Sequence, residues 1–169
     1  YGKVAMWAGA QDPRFALVCS GLSGCAGATL VRRGYGETVA SVTGYAPHWF
    51  APGFASYAQR VPALPVDWHL LIAAIAPRPL YLATAEQDYW NDPHGQFLAA
   101  VAADPVYRLL GRPGLGTTQA PAIGTPAGDT VRYHCRPGNH ALTAYDWAQF
   151  LAFADRHFGR SHPSPTPSP

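Results

Sequence analysis

The sequence predicts an α/β fold with a mostly parallel sheet and helices on both faces, and three observations predict it. Short apolar runs of strand length alternate along the chain with longer runs of helical period. Each strand-like run is separated from the next by a helix-like one, the order that gives parallel strands joined by crossovers. At 169 residues the chain holds one domain with a sizeable core, and is too short for two comfortable ones.

The elements follow in order. Tyr1-Gly2-Lys3-Val4-Ala5-Met6-Trp7-Ala8-Gly9-Ala10 is rich in small, helix-compatible residues and ends before Asp12-Pro13. No capping residue precedes it, so the helix is expected to start in sequence upstream of Tyr1. Phe15-Ala16-Leu17-Val18-Cys19 is a continuously apolar run, the mark of a strand buried on both faces. The Gly-rich stretch Ser20-Gly21-Leu22-Ser23-Gly24-Cys25-Ala26-Gly27-Ala28 lacks the spacing of either phosphate-binding loop, and nucleotide binding is set aside. Residues 32–65 form a long connection carrying Tyr35, Tyr45, Trp49, Phe50, Phe54 and Tyr57, expected to line a cleft or cover the core. Residues 66–75 read as a buried helix ended by Pro77, and residues 79–85 as the next strand. Asp92-Pro93 supplies an N-cap and a first-turn proline for a helix running through Phe97, Leu98 and Val101. Residues 112–128 read as a loop, residues 130–135 as a strand, and Phe150, Leu151, Phe153, Ala154 and Phe158 as the apolar face of the last helix. The Pro/Ser/Thr-rich residues 160–169 read as a disordered tail or linker, which leaves residues 1–159 as the domain.

Composition removes several functional classes. Hydrophobic residues make up 48% and charged ones 13%, the balance of a globular chain, and a net charge of +2 is no nucleic-acid footprint. No apolar stretch is long enough to cross a membrane as a helix, and no cofactor is implied. The three cysteines allow at most one bridge. His134, Cys135 and His140 could be drawn as a metal site, but a strand turns neighbouring side chains to opposite faces, and no metal is expected.

The chemistry gathers at Arg136-Pro137-Gly138-Asn139-His140, a loop between the last strand and the last helix. A sheet aims such a loop while leaving an imidazole open to substrate, which makes His140 the candidate general base. The preceding strand ends in Glu86-Gln87-Asp88-Tyr89-Trp90-Asn91-Asp92, and loops at the carboxyl ends of parallel strands converge on one crevice. Acid before histidine, one strand apart, is the order of the α/β-hydrolase triad. Asp88 is the first choice as the acid that orients His140; Asp92 competes as a helix cap and Glu86 as a solvated side chain. Neither Ser20 nor Ser23 sits in a nucleophile elbow. The nucleophile is therefore expected just before Tyr1, and the chain reads as the C-terminal part of an α/β-hydrolase domain whose sheet edge would be exposed in isolation.

These residues resemble the glucuronoyl esterases of carbohydrate esterase family 15. Tyr1-Gly2-Lys3 resembles the end of the family's Gly-Cys-Ser-Arg-x-Gly-Lys elbow. The resemblance continues through Trp7-Ala8-Gly9-Ala10-Gln11-Asp12, Pro47-His48-Trp49-Phe50, Asp67-Trp68-His69-Leu70-Leu71, Asp88-Tyr89-Trp90 and Gly138-Asn139-His140. It implies hydrolysis of the ester between 4-O-methyl-glucuronic acid on xylan and an alcohol of lignin, with a glucuronoxylan or lignin-carbohydrate ester as substrate. It also implies His140 as base, Lys3 and Trp90 as uronate contacts, Glu37 as a further hydroxyl contact, and a secreted or periplasmic enzyme. An acetyl xylan esterase would use the same triad, and a chain without its serine would be inactive or bind sugar only. Leu22 stands where fungal members carry their triad glutamate. Leucine cannot orient an imidazole, and Asp88 is the expected replacement, as in bacterial relatives.

Overall fold

The computed structural model describes residues 1–159, so the expected tail at residues 160–169 lies outside the described residues. Helix α1 (Gly2–Gln11) leads to strand β1 (Val18–Gly21). Helix α2 (Val39–Tyr45) and α3 (His69–Ile75) precede β2 (Leu80–Ala85). Helix α4 (Pro93–Leu109), the short β3 (Ala127–Gly128), β4 (Val131–Arg136) and α5 (Ala144–Phe158) complete the order.

Among the described residues the strands form one sheet in the order β1-β2-β4-β3, with β1 and β4 parallel to β2 and only β3 antiparallel. Every residue of β2 is buried, because helices cover both faces of the sheet. Period-two alternation divides its side chains. Leu80 and Leu82 pack into the large cluster with Met6 of α1, Ile72 and Ile75 of α3, and Phe97 and Tyr107 of α4. Tyr81 and Ala83 face the other way, against Phe150 and Phe153 of α5. Each such fully buried aliphatic side chain contributes about 1.5–3 kcal/mol relative to exposure.

Several boundaries differ from the sequence reading. The first strand starts at Val18, with Phe15 half exposed, because the chain leaves Asp12 in a turn and reaches the sheet only where Val18 pairs with Leu80. The third helix starts at His69, after Asp67 accepts from the backbone N–H of Val31 and Trp68. The long aromatic connection covers the core and holds a helix of its own: Thr38 and Ser41 cap α2 reciprocally, and short 3-10 turns at Pro47–Trp49, Phe54–Tyr57 and Val61–Ala63 lay Phe50, Phe54 and Val61 against the core. Helix α4 continues through Pro105 to Leu109, since Tyr107 beyond the proline is fully buried and donates to the Arg78 carbonyl at 3.1 Å. Cys19, Cys25 and Cys135 are free thiols.

Candidate active site

The crevice lies at the carboxyl ends of β1, β2 and β4, where their loops meet. Glu86 N–H donates to the Arg136 carbonyl at 2.8 Å and Gln87 N–H to the Gly138 carbonyl at 3.0 Å, so the loops after β2 and β4 are laced together. Asp88 then begins the 3-10 turn Tyr89–Asn91. Its carboxylate, 3% exposed, points Oδ2 at His140 Nδ1 over 2.9 Å, while the imidazole is 62% exposed. The lacing explains the meeting of two residues 52 positions apart: both loops are fixed before either side chain is placed. With Nδ1 held by a buried carboxylate, Nε2 is the nitrogen left for a reacting proton.

Of the competing acids, Asp92 caps α4, accepting from Gly95 N–H at 2.9 Å, and pairs with Arg33 Nε at 2.8 Å; Glu86 is exposed. Ser20 and Ser23 are both 1% exposed, and their hydroxyls donate to the Gly2 carbonyl and to Gln96 Oε1. Neither presents a nucleophile to the crevice. Leu22 is buried at a left-handed φ of 54°, turning the chain out of β1 rather than reaching the imidazole.

A second group of side chains assembles at the start of α1. Lys3 Nζ lies 2.8 Å from Glu37 Oε2 and 6.0 Å from the centre of the Trp49 ring. The Glu37 carboxylate is 1% exposed and also accepts from Cys25 N–H at 2.9 Å and from the Tyr45 hydroxyl. Glu37 is therefore a fixed anionic anchor for the Lys3 ammonium, not the loop acid that its sequence surroundings suggest. Burial, and then the Glu37 charge, push the neighbouring Cys25 thiol up to about 12. Trp90 is half exposed, and its carbonyl accepts Glu37 N–H at 2.6 Å. That approach leaves no room for a side chain at Gly36: with φ at 68°, a Cβ there would lie 2.5 Å from the Trp90 carbonyl oxygen. Lys3, Glu37 and Trp90 thus come together.

The start of α1 also sits against the same crevice. A Cβ on Gly2 would meet the Gly21 carbonyl oxygen at 2.2 Å, and one on Gly21 would meet Leu142, two residues past His140, at 2.7 Å. Beyond the dyad, a cleft of about 380 Å³ opens between Arg33, Tyr35, Glu86, Tyr89, His94 and Ile123.

Two features escaped the sequence reading. Asn91 is 3% exposed, and its Nδ2 lies 2.9 Å from both Asp88 carboxylate oxygens and 2.8 Å from His140 Nδ1. Asp88-x-x-Asn91 is the available signal, since a three-residue turn superposes positions three apart. The other feature is a buried network under the His140 loop. Asp146, 1% exposed, accepts from His134 Nε2 at 2.9 Å, Arg136 Nε at 2.8 Å, and Thr143 N–H and hydroxyl at 2.7 and 2.8 Å. Arg136 turns its remaining donors to the carbonyls of Pro137, Asn139 and Ala141, which brackets His140. Burial favours neutral Asp146, but the Thr143, Arg136 and His134 hydrogen bonds outweigh it and hold the carboxyl below its usual value. His134 is held down by burial and then by the Arg136 and Arg132 charges. A neutral ring suits its partners, accepting the Tyr81 hydroxyl at Nδ1 over 2.8 Å and donating Nε2–H to Asp146.

Comparison with known proteins identifies the family. Residues 1–111 match the sequence profile of glucuronyl esterases from fungi. "Carbohydrate esterase MZ0003", from an unknown prokaryotic organism, is 49% identical over 156 residues, covering 92% of this chain and 36% of the relative. The "4-O-methyl-glucuronoyl methylesterase" of Schizophyllum commune is 38% identical over 120 residues, covering 66% of this chain and 30% of that one. The solved structure of a promiscuous CE15 esterase from a marine bacterial metagenome superposes with a TM-score of 0.90 at 49% identity, over 92% of this chain and 39% of that one. The chain spans about a third of the length of the relatives it matches. By the profile, the relatives and the shared fold, the chain belongs to the glucuronoyl esterases of carbohydrate esterase family 15.

Proposed function

We propose that the full-length protein is a serine esterase that cleaves 4-O-methyl-glucuronoyl esters joining xylan to an alcohol, and that this chain supplies its base, acid and uronate contacts. The observation that carries the reading is the His140–Asp88 pair, set beside Lys3 and Trp90 at the carboxyl end of a parallel sheet. A serine arriving just ahead of α1 would enter the crevice where Gly2 meets Gly21, next to the His140 loop. Its Oγ would attack the ester carbonyl as His140 Nε2 takes the proton, with Asp88 holding Nδ1–H and stabilising the imidazolium. Nε2 then returns the proton to the departing alcohol oxygen. Water, deprotonated by the same nitrogen, attacks the acyl-enzyme, and Nε2–H returns that proton to the departing serine Oγ as the uronate is released. Donors beside the elbow would stabilise the oxyanion of each tetrahedral intermediate.

Support for a uronate comes from the Lys3 ammonium, which spends one contact on Glu37 and keeps donors for a hydroxyl-rich anionic sugar, and from the exposed Trp90 indole, which suits a pyranose face. The name carried by the Schizophyllum commune relative supports the same chemistry. A polymeric plant substrate lies outside the cell, so the reading places the enzyme outside or in the periplasm. The test is hydrolysis by the full-length protein of methyl 4-O-methyl-glucuronate beside acetylated xylan. Turnover of the uronate ester is expected; turnover of acetate alone would transfer the site to an acetyl xylan esterase.

A further inference from the structure

Asn91 places one amide nitrogen against both oxygens of Asp88 and the Nδ1 edge of His140. Nδ2 carries two hydrogens, and within 2.9 Å of it stand Asp88 Oδ1, Asp88 Oδ2 and His140 Nδ1. The same Nδ1 lies 2.9 Å from Asp88 Oδ2, so the amide and the imidazole share one carboxylate and face each other across it. The amide has no useful alternative orientation: turned over, its oxygen would oppose the carboxylate lone pairs. Its placement is independent of the dyad, because the Asn91 carbonyl accepts from the Thr29 hydroxyl and from Gln96 Nε2, both at 2.9 Å. Gly24 leaves the room the side chain needs: a Cβ there would lie 2.2 Å from Asn91 Oδ1.

We propose that Asn91 is a positioning residue that fixes the Asp88 carboxylate toward His140 and, by donating to that carboxylate and setting its N–H dipole against the ring, lowers the tendency of His140 to take a second proton. Two physical effects act in one direction. Hydrogen bonds to a carboxylate spread its charge and weaken its pull on an Nδ1 proton. An N–H dipole with its positive end toward the ring also opposes the charge that an imidazolium adds. The consequence is an imidazole that remains an unprotonated base to lower pH than the dyad alone would allow. Of the charged groups nearby, Glu37 pairs with Lys3, Asp92 with Arg33 and Arg136 with Asp146, while Glu86, on the same loop as Asp88, is exposed to solvent. Changing Asn91 leaves those pairs in place.

The inference deepens the esterase reading and rests on it for its kinetic arm, so the experiment has a second arm that needs no turnover. In the full-length protein, Asn91→Ala is expected to move the acid limb of the kcat/KM profile to higher pH by about one unit, the effect of losing one hydrogen bond to a charged group. At the plateau kcat falls while KM is unchanged, since the amide touches no substrate. Asn91→Asp keeps the shape, removes both donors and adds a like charge beside Asp88, and moves the limb at least as far. The second arm follows the His140 imidazole by 15N NMR, assigned by its loss in His140→Gln. Its titration midpoint is expected to rise in Asn91→Ala, with a single cooperative unfolding transition showing an intact fold. An NMR midpoint that stays or falls overturns the inference whether or not the protein is an esterase. An active enzyme whose profile does not move on either substitution overturns it too, and leaves the esterase reading standing.

Discussion

Replacing Arg136 with methionine tests the network that holds the His140 loop. Arg136 is 5% exposed, and its guanidinium spends its donors on Asp146 at 2.8 Å, on the Pro137 and Asn139 carbonyls at 2.8 and 3.2 Å, and on the Ala141 carbonyl. Methionine keeps much of the stem volume and removes every donor, so the cost is electrostatic rather than a cavity. Removing one partner of a buried ion pair costs about 3–5 kcal/mol. Asp146 retains His134 and both Thr143 donors, which places the cost near the lower end, about 3 kcal/mol. At a urea m-value of about 1–3 kcal/mol/M, the unfolding midpoint of the full-length protein falls by about 1 M or more. The assay is urea unfolding read by tryptophan fluorescence, alongside ester hydrolysis. Adding Asp146→Leu to Arg136→Met removes the stranded charge and is expected to cost less than the sum of the single changes. A midpoint within about 0.2 M of wild type, a small fraction of that expected shift, would refute the assignment of Arg136 as the brace of the loop.

Two further outcomes follow. The value of His134 is depressed in the fold, so its contribution to stability is present above the unfolded value of 6.5 and is lost as pH falls below it; Asp146 adds a second loss below 3.8. Urea midpoints at pH 7.5 and 5 are expected to differ in wild type and to differ less in His134→Gln, and equal slopes in the two proteins would contradict the neutral, Tyr81-bonded ring. Lys3→Met removes the ammonium but leaves the dyad untouched, so KM for a glucuronate methyl ester is expected to rise about tenfold or more, the loss of one charged hydrogen bond, with a smaller change in kcat; an unchanged KM would remove Lys3 from the uronate site.

The fold class was legible because strand and helix runs carry different periods, and β2 and β4 occupy nearly the residues their apolar pattern marks. Asp88 and His140 were legible because parallel strands oblige their C-terminal loops to meet. Glu37 was less so: nothing in Gly36-Glu37-Thr38 announces that Lys3, Tyr45 and Cys25 N–H converge on it, since those contacts span three separate elements. Asn91 and the His134–Asp146–Arg136 network were missed for a related reason. A polar residue in an apolar strand looks the same whether its partner is solvent or a helix cap twelve residues on, and only tertiary packing brings Thr143 and Asp146 over His134. Helix α2 hid inside an aromatic, Gly- and Pro-rich stretch because seven residues are too few for periodicity to stand out.

The central claim is that His140 is the base and Asp88 its orienting acid. It is tested most directly by single-turnover hydrolysis of methyl 4-O-methyl-glucuronate by the full-length protein, comparing wild type with Asp88→Asn at constant fold stability. Asparagine keeps the shape but presents an amide where Nδ1–H needs an acceptor, and the chemical step is expected to slow by about 10⁴-fold. Hydrolysis within about tenfold of wild type, less than positioned acid–base catalysis contributes, would contradict the account.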